Sequence, residues 1–398
     1  MKTANFRYLW MGQTIANAGD IFYAAALIAL LYHVTGSAFS LAAVPFSITA
    51  ARFLSGLAAP VIMDKWKIEN ILAYSQAGKT VFLLLLALSL SAEETVHLFF
   101  VFTCIILIST LDGWAAPAKN AMLPGIVPSE ELVKANSFTA SIDQSVQLGG
   151  WAAGGLLTSA WGSMTMIWLT AALYALSAYL LVKIKLGSAP FFYAPKQKLR
   201  NQLKDGWLEI WRIQQLRTIH FILLLETAAG TVWIAAILYL YVKEQLHLGE
   251  EWWGYINASF FAGLIAGGVF GVLYSSWMDR NSGKIIITGA FGISAATFIF
   301  GVTAIPWIAL AASALFGVME QLKSVSLQTA MQRSTPAPLL TKIYSAQSSM
   351  LALTFGLGSL AAGAAAERVP ISAIFLTASG ILLVSAFYTI GRKQRLSS

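Results

Sequence analysis

Apolar runs long enough to cross a bilayer recur twelve times along these 398 residues, and no other feature of the chain limits its fold so strongly. A helix needs roughly 20 mostly apolar residues to traverse about 30 Å of hydrocarbon. The runs fall at 9–32, 39–63, 70–91, 97–117, 136–160, 165–185, 217–242, 252–278, 284–304, 307–331, 345–366 and 371–391. They are continuously apolar rather than alternating, so helices are expected and barrel strands are not, because a helix satisfies its own backbone polar groups in lipid. Composition agrees: only 11% of the residues are charged, against about 25% in an ordinary soluble domain. The first run reads as a retained span rather than a cleaved signal, since many more follow it. The single cysteine, Cys104, lies in an apolar run and reads as a small buried hydrophobe.

Orientation follows from the loops, because Lys and Arg are retained on the cytoplasmic side. With the N-terminus inside, 21 of the 26 Lys and Arg fall in inside segments, and only Lys243 and Arg368 fall in outside loops. The last three, Arg52, Lys79 and Lys323, lie within spans. Both termini are therefore expected in the cytoplasm, in a multi-pass protein of the cytoplasmic membrane. The net charge of +8 needs no nucleic acid to explain it, since a nucleic-acid reading would require a basic face on a solvated fold.

The longest interruption divides the chain into an N-terminal six-helix bundle (1–186), a linker (187–216) and a C-terminal six-helix bundle (217–398). In the linker, Leu199, Leu203, Trp207, Ile210 and Trp211 recur at helical spacing between Lys198, Arg200, Lys204 and Arg212. This is the pattern of an amphipathic helix on the inner leaflet, joining the halves as a strap. A shift of 208 residues superposes Pro128, Leu132, Lys134 and Ser137 on Pro336, Leu340, Lys342 and Ser345, and places Asp112 on Glu320. The chain thus reads as an all-α membrane protein of twelve transmembrane helices, in two bundles related by a parallel internal repeat, as in many transporters.

Eight ionisable residues fall within spans: Asp20, Arg52, Lys79, Asp112, Asp143, Glu226, Glu320 and Lys323. Each costs about 2.5–3.5 kcal/mol at a helix centre, so they are expected to face the bundle interior or one another. Five acids against three bases leave two acids over, which suggests proton binding or attraction of a cationic substrate. Asp20 shares its helix face with Gln13 and Asn17, and an Asp20–Arg52 pair is expected, either as a structural bridge or as part of a site. Glu226 is the unpaired candidate for protonation. Glu320 and Lys323, three residues apart, share a face, as a self-neutralising pair or as a ligand contact. Asp112 and Asp143 sit nearer the cytoplasmic ends of their spans, where gating, packing or coupling are all open. Lys79 is expected to snorkel toward the inner surface. Trp114, Trp151, Trp233 and Phe260 belong either to interfacial belts or to an apolar cavity wall. Gly263, Gly267 and Gly271 recur every fourth position, a stripe that lets helices pack closely.

Leu9-Trp10-x-Gly12-Gln13 with Gly19-Asp20, the Thr35-Gly36-Ser37-Ala38 turn, and the run Pro117-Ala118-x-x-Ala121-x-x-Pro124-x-x-Val127-Pro128-x-x-x-Leu132-x-x-Ala135-Asn136 resemble the major facilitator superfamily, and within it the drug/proton antiporter branch that includes macrolide exporters. The resemblance implies two bundles that rock about a central cavity and exchange an apolar or cationic small molecule outward for protons inward. Asp64, Lys65 and Lys67 stand where the superfamily's loop motif after the second span would lie, with Pro60 in place of its glycine. The resemblance implies a gate there, with Asp279 and Arg280 as the second-half counterpart. Pro117-Ala118-Lys119-Asn120 and Leu132-Val133-Lys134-Ala135-Asn136 also resemble the superfamily's lysophospholipid transporters, so a lipid-like substrate is the alternative.

Other classes fit less well. His33, His97, His220 and His247 lie near span ends and form no ligand-spaced cluster, so no metal site, cofactor or hydrolytic centre is expected and the chain is not read as an enzyme. No phosphate-binding glycine loop appears, and no filter-like loop or charge ring points to a channel. A non-transporting receptor on the same fold would bind ligand without accumulating it. The expected partners are a small-molecule substrate, protons and the bilayer, with the chain a monomer.

Overall fold

A computed structural model describes residues 3–35, 38–63, 66–92, 97–186, 199–233, 235–249 and 251–396. Six long helices fill the first half: α1 (Ala4–Thr35), α2 (Ala38–Met63), α3 (Ile68–Ala92), α4 (Leu98–Ile126), α5 (Leu132–Trp161) and α6 (Ser163–Val182). After α7 (Leu199–Arg212), the second half contains α8 (Gln214–Gly230), α9 (Ala235–Leu240), α10 (Glu251–Leu273), α11 (Ser275–Arg280), α12 (Ser282–Val302), α13 (Pro306–Ser334), α14 (Ala337–Ala366), α15 (Ile371–Gly391) and α16 (Lys393–Leu396).

Among the described residues nine helices are long and apolar enough to cross a membrane, and α8 with α9 reaches the same length and apolarity as a pair bent by 48°. The other two are α2, whose apolar stretch covers Ala43–Ala59, and α5, which Lys134, Asp143, Gln144 and Gln147 make more polar. The twelve segments are those of the sequence reading, with boundaries that differ for physical reasons. Helix α4 continues nine residues beyond the expected end, through Pro117 and Pro124, because both lie in a packed bundle where neighbours can satisfy the freed backbone groups. Helix α14 begins well before residue 345, because Lys342 is buried rather than a loop cation. The seventh span is not one helix: Gly230 ends α8, a tight turn covers Thr231–Trp233, and a wide turn covers Tyr241–Gln245. Thr231 donates its side-chain hydroxyl to the Ala228 carbonyl, a local bond that competes with helix continuation after a glycine. The eighth span stops at Leu273 rather than 278.

Helix pairing repeats. In the first half α1 packs on α6, α2 on α4, and α3 on both α4 and α6. In the second half α8 packs on α15, α10 on α13, and α12 on both α13 and α15. The α10–α13 seam uses the glycine stripe, since a Cβ on Gly263 or Gly267 would meet the backbone of Ala314 or Val318. Two compact units result, one of Met1–Pro128, Ser145–Trp207 and Pro336–Ser348, the other of Ser129–Gln144, Leu208–Thr335 and Ser349–Ser398. The core of the first includes Leu27, Leu83, Ile105, Met166 and Tyr174; that of the second includes Tyr241, Phe300, Phe316 and Phe375.

Each unit borrows a helix start from the other half of the chain. In the first, the Ser345 hydroxyl on α14 donates to the Gly56 carbonyl on α2 at 2.5 Å. In the second, the Asn136 amide on α5 donates to Thr329 Oγ1 at 3.0 Å and Gln332 Oε1 at 2.7 Å, both on α13. The linker helix α7 is docked, not a loose strap. Lys342 Nζ donates to Asp205 Oδ2 at 3.0 Å, and Gly206 lies so close to the Lys342 carbonyl that a Cβ there would collide with it.

Candidate functional site

The pairing of α1, α2, α3, α4 and α6 brings five polar side chains from five helices to one place. Lys79, almost wholly buried on α3, lies between Asp20 of α1 at 2.6 Å and Asp112 of α4 at 3.0 Å. Arg52 of α2 bridges the same two carboxylates, 3.1 Å from Asp20 and 2.6 Å from Asp112. The Tyr174 hydroxyl on α6 donates to Asp20 Oδ1 at 2.5 Å, and its ring lies 4.6 Å from Lys79 Nζ. Two acids face two bases, so the cluster is electrically balanced. In the interior such pairs are retained only when the remaining lone pairs and protons are also satisfied, and here each carboxylate oxygen of both acids has a cationic partner.

The corresponding helices of the second half build a second cluster. Lys323 of α13 is again almost wholly buried, 2.8 Å from Glu226 of α8 and 2.7 Å from Glu320 one turn back on its own helix. Ser385 on α15 donates to Glu226 Oε1 at 3.4 Å. Glu226 is 8% exposed and Glu320 33%. The placement follows the repeat, with α1 matching α8, α4 matching α13 and α6 matching α15. The balance does not follow it: among the described residues this cluster has two carboxylates and one ammonium.

Several expectations change accordingly. Lys79 does not snorkel; it is enclosed by two acids because α1, α3 and α4 converge on it. Glu226 is not unpaired, since Lys323 reaches it from another helix. Asp112 sits with Arg52 and Lys79 rather than apart at a helix end. The Arg52–Asp20 contact is present, but as one edge of a four-charge ring. Gln13 is buried and Asn17 half-buried on α1, and Asp143 is half-buried on α5.

The aromatic candidates separate. Trp114 donates its indole N–H to the Ser55 carbonyl at 3.1 Å and borders a crevice of about 240 Å³ with Ile62, Trp66, Tyr74 and Leu111. Trp233 packs at 4.6 Å from Phe300 and 4.7 Å from Phe316, with Phe260 stacked at 6.3 Å, so both Trp233 and Phe260 border the aromatic core of their unit. Trp151 is half exposed.

Of the gate residues implied by resemblance, Asp64 and Lys65 lie outside the described residues, and Lys67 is exposed. Arg280 is exposed, and Asp279 is half-buried and paired with a cation of another helix. Its partner is Arg333 at the end of α13, which makes a two-pronged pair at 2.5 and 3.2 Å and also donates to the Ser129 carbonyl at 2.6 Å. The planar guanidinium suits this forked geometry, which a neighbour in sequence on a six-residue helix could not offer. Arg333, Tyr174 and Ser385 are not among the site residues expected from the sequence; Arg333, one of the basic residues of the inside segments, alone carried a signal, as a cation in the last turn of a long helix.

The fold has solved counterparts among membrane transporters. The chain superposes on the fucose:proton symporter FucP of E. coli with a TM-score of 0.75 at 13% identity, covering 97% of this chain and 98% of that one. It superposes on the human organic anion transporter MFSD10 with a TM-score of 0.76 at 11% identity, covering 97% and 99%. At the level of sequence, residues 9–353 match the Major Facilitator Superfamily, and the chain belongs to that family of transporters. The MFS-type transporter YfmI of Bacillus subtilis is 29% identical over 387 residues, 96% of this chain and 95% of that protein. The candidate bacilysin exporter BacE of Bacillus subtilis is 23% identical over 389 residues, 95% of this chain and 93% of that protein.

Proposed function

We propose that the protein is a proton-coupled exporter of apolar or cationic small molecules, working by alternating access in the cytoplasmic membrane with both termini inside. The observation that carries this reading is the unequal charge of the two clusters. The ring of Asp20, Arg52, Lys79 and Asp112 is balanced and ties four helices of its unit together. Among the described residues Glu226 and Glu320 share one cation, Lys323, so the second cluster is one positive charge short. A buried charge without a counter-charge is costly, and a carboxylate can remove that cost by taking up a proton. Glu226, enclosed against Ser385, is the group assigned to carry the proton, while the more exposed Glu320 is assigned to exchange it or to meet a cationic substrate. When the proton leaves, the restored negative charge favours whichever arrangement supplies a new partner, and this couples protonation to conformation.

Arg333 with Asp279 and Ser129, and Asn136 with Thr329 and Gln332, join first-half helix α5 and its approach to second-half helices. In the proposed cycle these contacts break when that end opens. The likeness to BacE supports the outward direction, and the basic loops support the orientation.

The test is transport in proteoliposomes under an imposed pH gradient, with a cationic dye, a macrolide and a lysophospholipid as substrates and internal pH recorded alongside. Substrate movement that dissipates the gradient is expected. Lysophospholipid movement indifferent to the gradient would overturn proton coupling and favour a lipid carrier.

A further inference from the structure

The linker helix α7 has two working edges, and proton coupling accounts for neither. Gly206 and Ile210 are buried, and Gly206 with Asp205 holds Lys342 on the first turns of α14. The other edge is bare: Trp207 is 38% exposed, Leu208 61% and Trp211 64%. The sequence pattern had grouped Trp207, Ile210 and Trp211 on a single apolar face, but the structure divides them, with Ile210 facing in and the two indoles facing out.

What shares the bare edge identifies its occupant. At 100° per residue, positions Arg200, Lys204, Trp207, Leu208 and Trp211 fall on one arc, at intervals of i, i+4, i+7, i+8 and i+11, and Arg212 borders it. Basic residues are therefore interleaved with indoles rather than set opposite them. The two acids of α7 are already engaged, Asp205 by Lys342 and Glu209 by Arg212 at 3.5 Å. A cationic arc studded with tryptophan matches the headgroup region of an anionic bilayer, where indoles sit at the interface and each Lys or Arg gains from the negative surface.

We infer that α7 is a surface anchor that docks on an anionic phospholipid leaflet through the Arg200–Lys204–Trp207–Leu208–Trp211 arc while its opposite edge clamps the start of α14. Through Lys342, and through Ser345 one turn further on, that clamp reaches the Gly56 carbonyl of α2. The charge of the lipid surface thus acts on a helix start that binds the two halves of the sequence together. This inference depends on the bilayer setting and not on proton coupling or on any substrate.

The test uses the full chain in lipid nanodiscs. Cys104 is the sole cysteine and is buried, so Leu208→Cys in a Cys104→Ser background gives one reactive thiol at an exposed position for an environment-sensitive fluorophore. Quenching by brominated phosphatidylglycerol is expected to exceed quenching by brominated phosphatidylcholine at equal content. Arg200→Gln and Lys204→Gln should each reduce that preference about fivefold, the factor that corresponds to one basic residue at an anionic surface. Equal quenching by the two lipids would overturn the recognition of charge, and absence of quenching by both would overturn membrane docking. Transport assays on the same preparation do not enter either outcome, so failure here leaves the transporter reading standing.

Discussion

Neutralising one acid should have opposite consequences in the two clusters. Asp20→Asn turns a balanced ring into one with a net positive charge. Asp20 carries three short contacts, to Lys79 at 2.6 Å, Arg52 at 3.1 Å and the Tyr174 hydroxyl. Removing one partner of a buried pair costs about 3–5 kcal/mol. Asp112 still reaches both cations, so the expected loss is roughly 3 kcal/mol, the lower end of that range. Glu226→Gln instead turns a cluster with a net negative charge into a neutral one. Lys323 keeps Glu320 at 2.7 Å, and the new amide can still accept from Ser385, so the change should stay within about 1 kcal/mol, the scale of one exchanged hydrogen bond. The two variants should therefore differ by about 2 kcal/mol with Asp20→Asn the weaker. The assay is reversible unfolding of the purified protein in mixed micelles with a rising fraction of denaturing detergent, followed by tryptophan emission. Equal destabilisation, or a Glu226→Gln variant weaker than Asp20→Asn, would refute the charge arithmetic.

Other expectations follow from the same geometry. Lys79→Met leaves two carboxylates, Asp20 and Asp112, facing one cation, Arg52, and should cost about 3–5 kcal/mol in that unfolding assay, with partial rescue by adding Asp112→Asn. Asn136→Ala removes a buried donor from Thr329 and Gln332 and should cost about 1–3 kcal/mol by the same measurement. Arg333→Gln breaks a partly exposed pair, so its effect on stability should be below about 1 kcal/mol, while the rate of substrate movement changes and substrate affinity does not; a pure affinity loss would contradict a gate role. Gly206→Val places side-chain atoms against the Lys342 carbonyl and should release α7 from α14, read as at least tenfold faster amide exchange in α7.

The parts of this fold governed by hydrophobic length were legible in the sequence, and so were contacts within one helix. Twelve spans, the 208-residue repeat and the Glu320–Lys323 pair all follow from spacing along the chain. What spacing could not supply was convergence. Lys79, near the middle of α3, reads on its own helix as a residue that must snorkel, until α1 and α4 place Asp20 and Asp112 around it, 59 and 33 residues away. Glu226 looks solitary on its own helix, yet its partner lies on α13. The amphipathic pattern of α7 marked a helix, but a periodicity alone does not divide Ile210, which packs inward, from Trp211, which does not. The break after Gly230 was hidden for a related reason: an apolar run reports its length and not the side-chain hydrogen bond at Thr231 that interrupts it.

An exchangeable proton in the second cluster can be read by infrared difference spectroscopy of the purified protein on stepwise acidification, from the C=O stretch of protonated carboxyl groups. A titrating band is expected that is lost in Glu226→Gln and kept in Asp20→Asn. A band that survives Glu226→Gln and disappears in Asp20→Asn would place the exchangeable proton in the first cluster and contradict its assignment to Glu226.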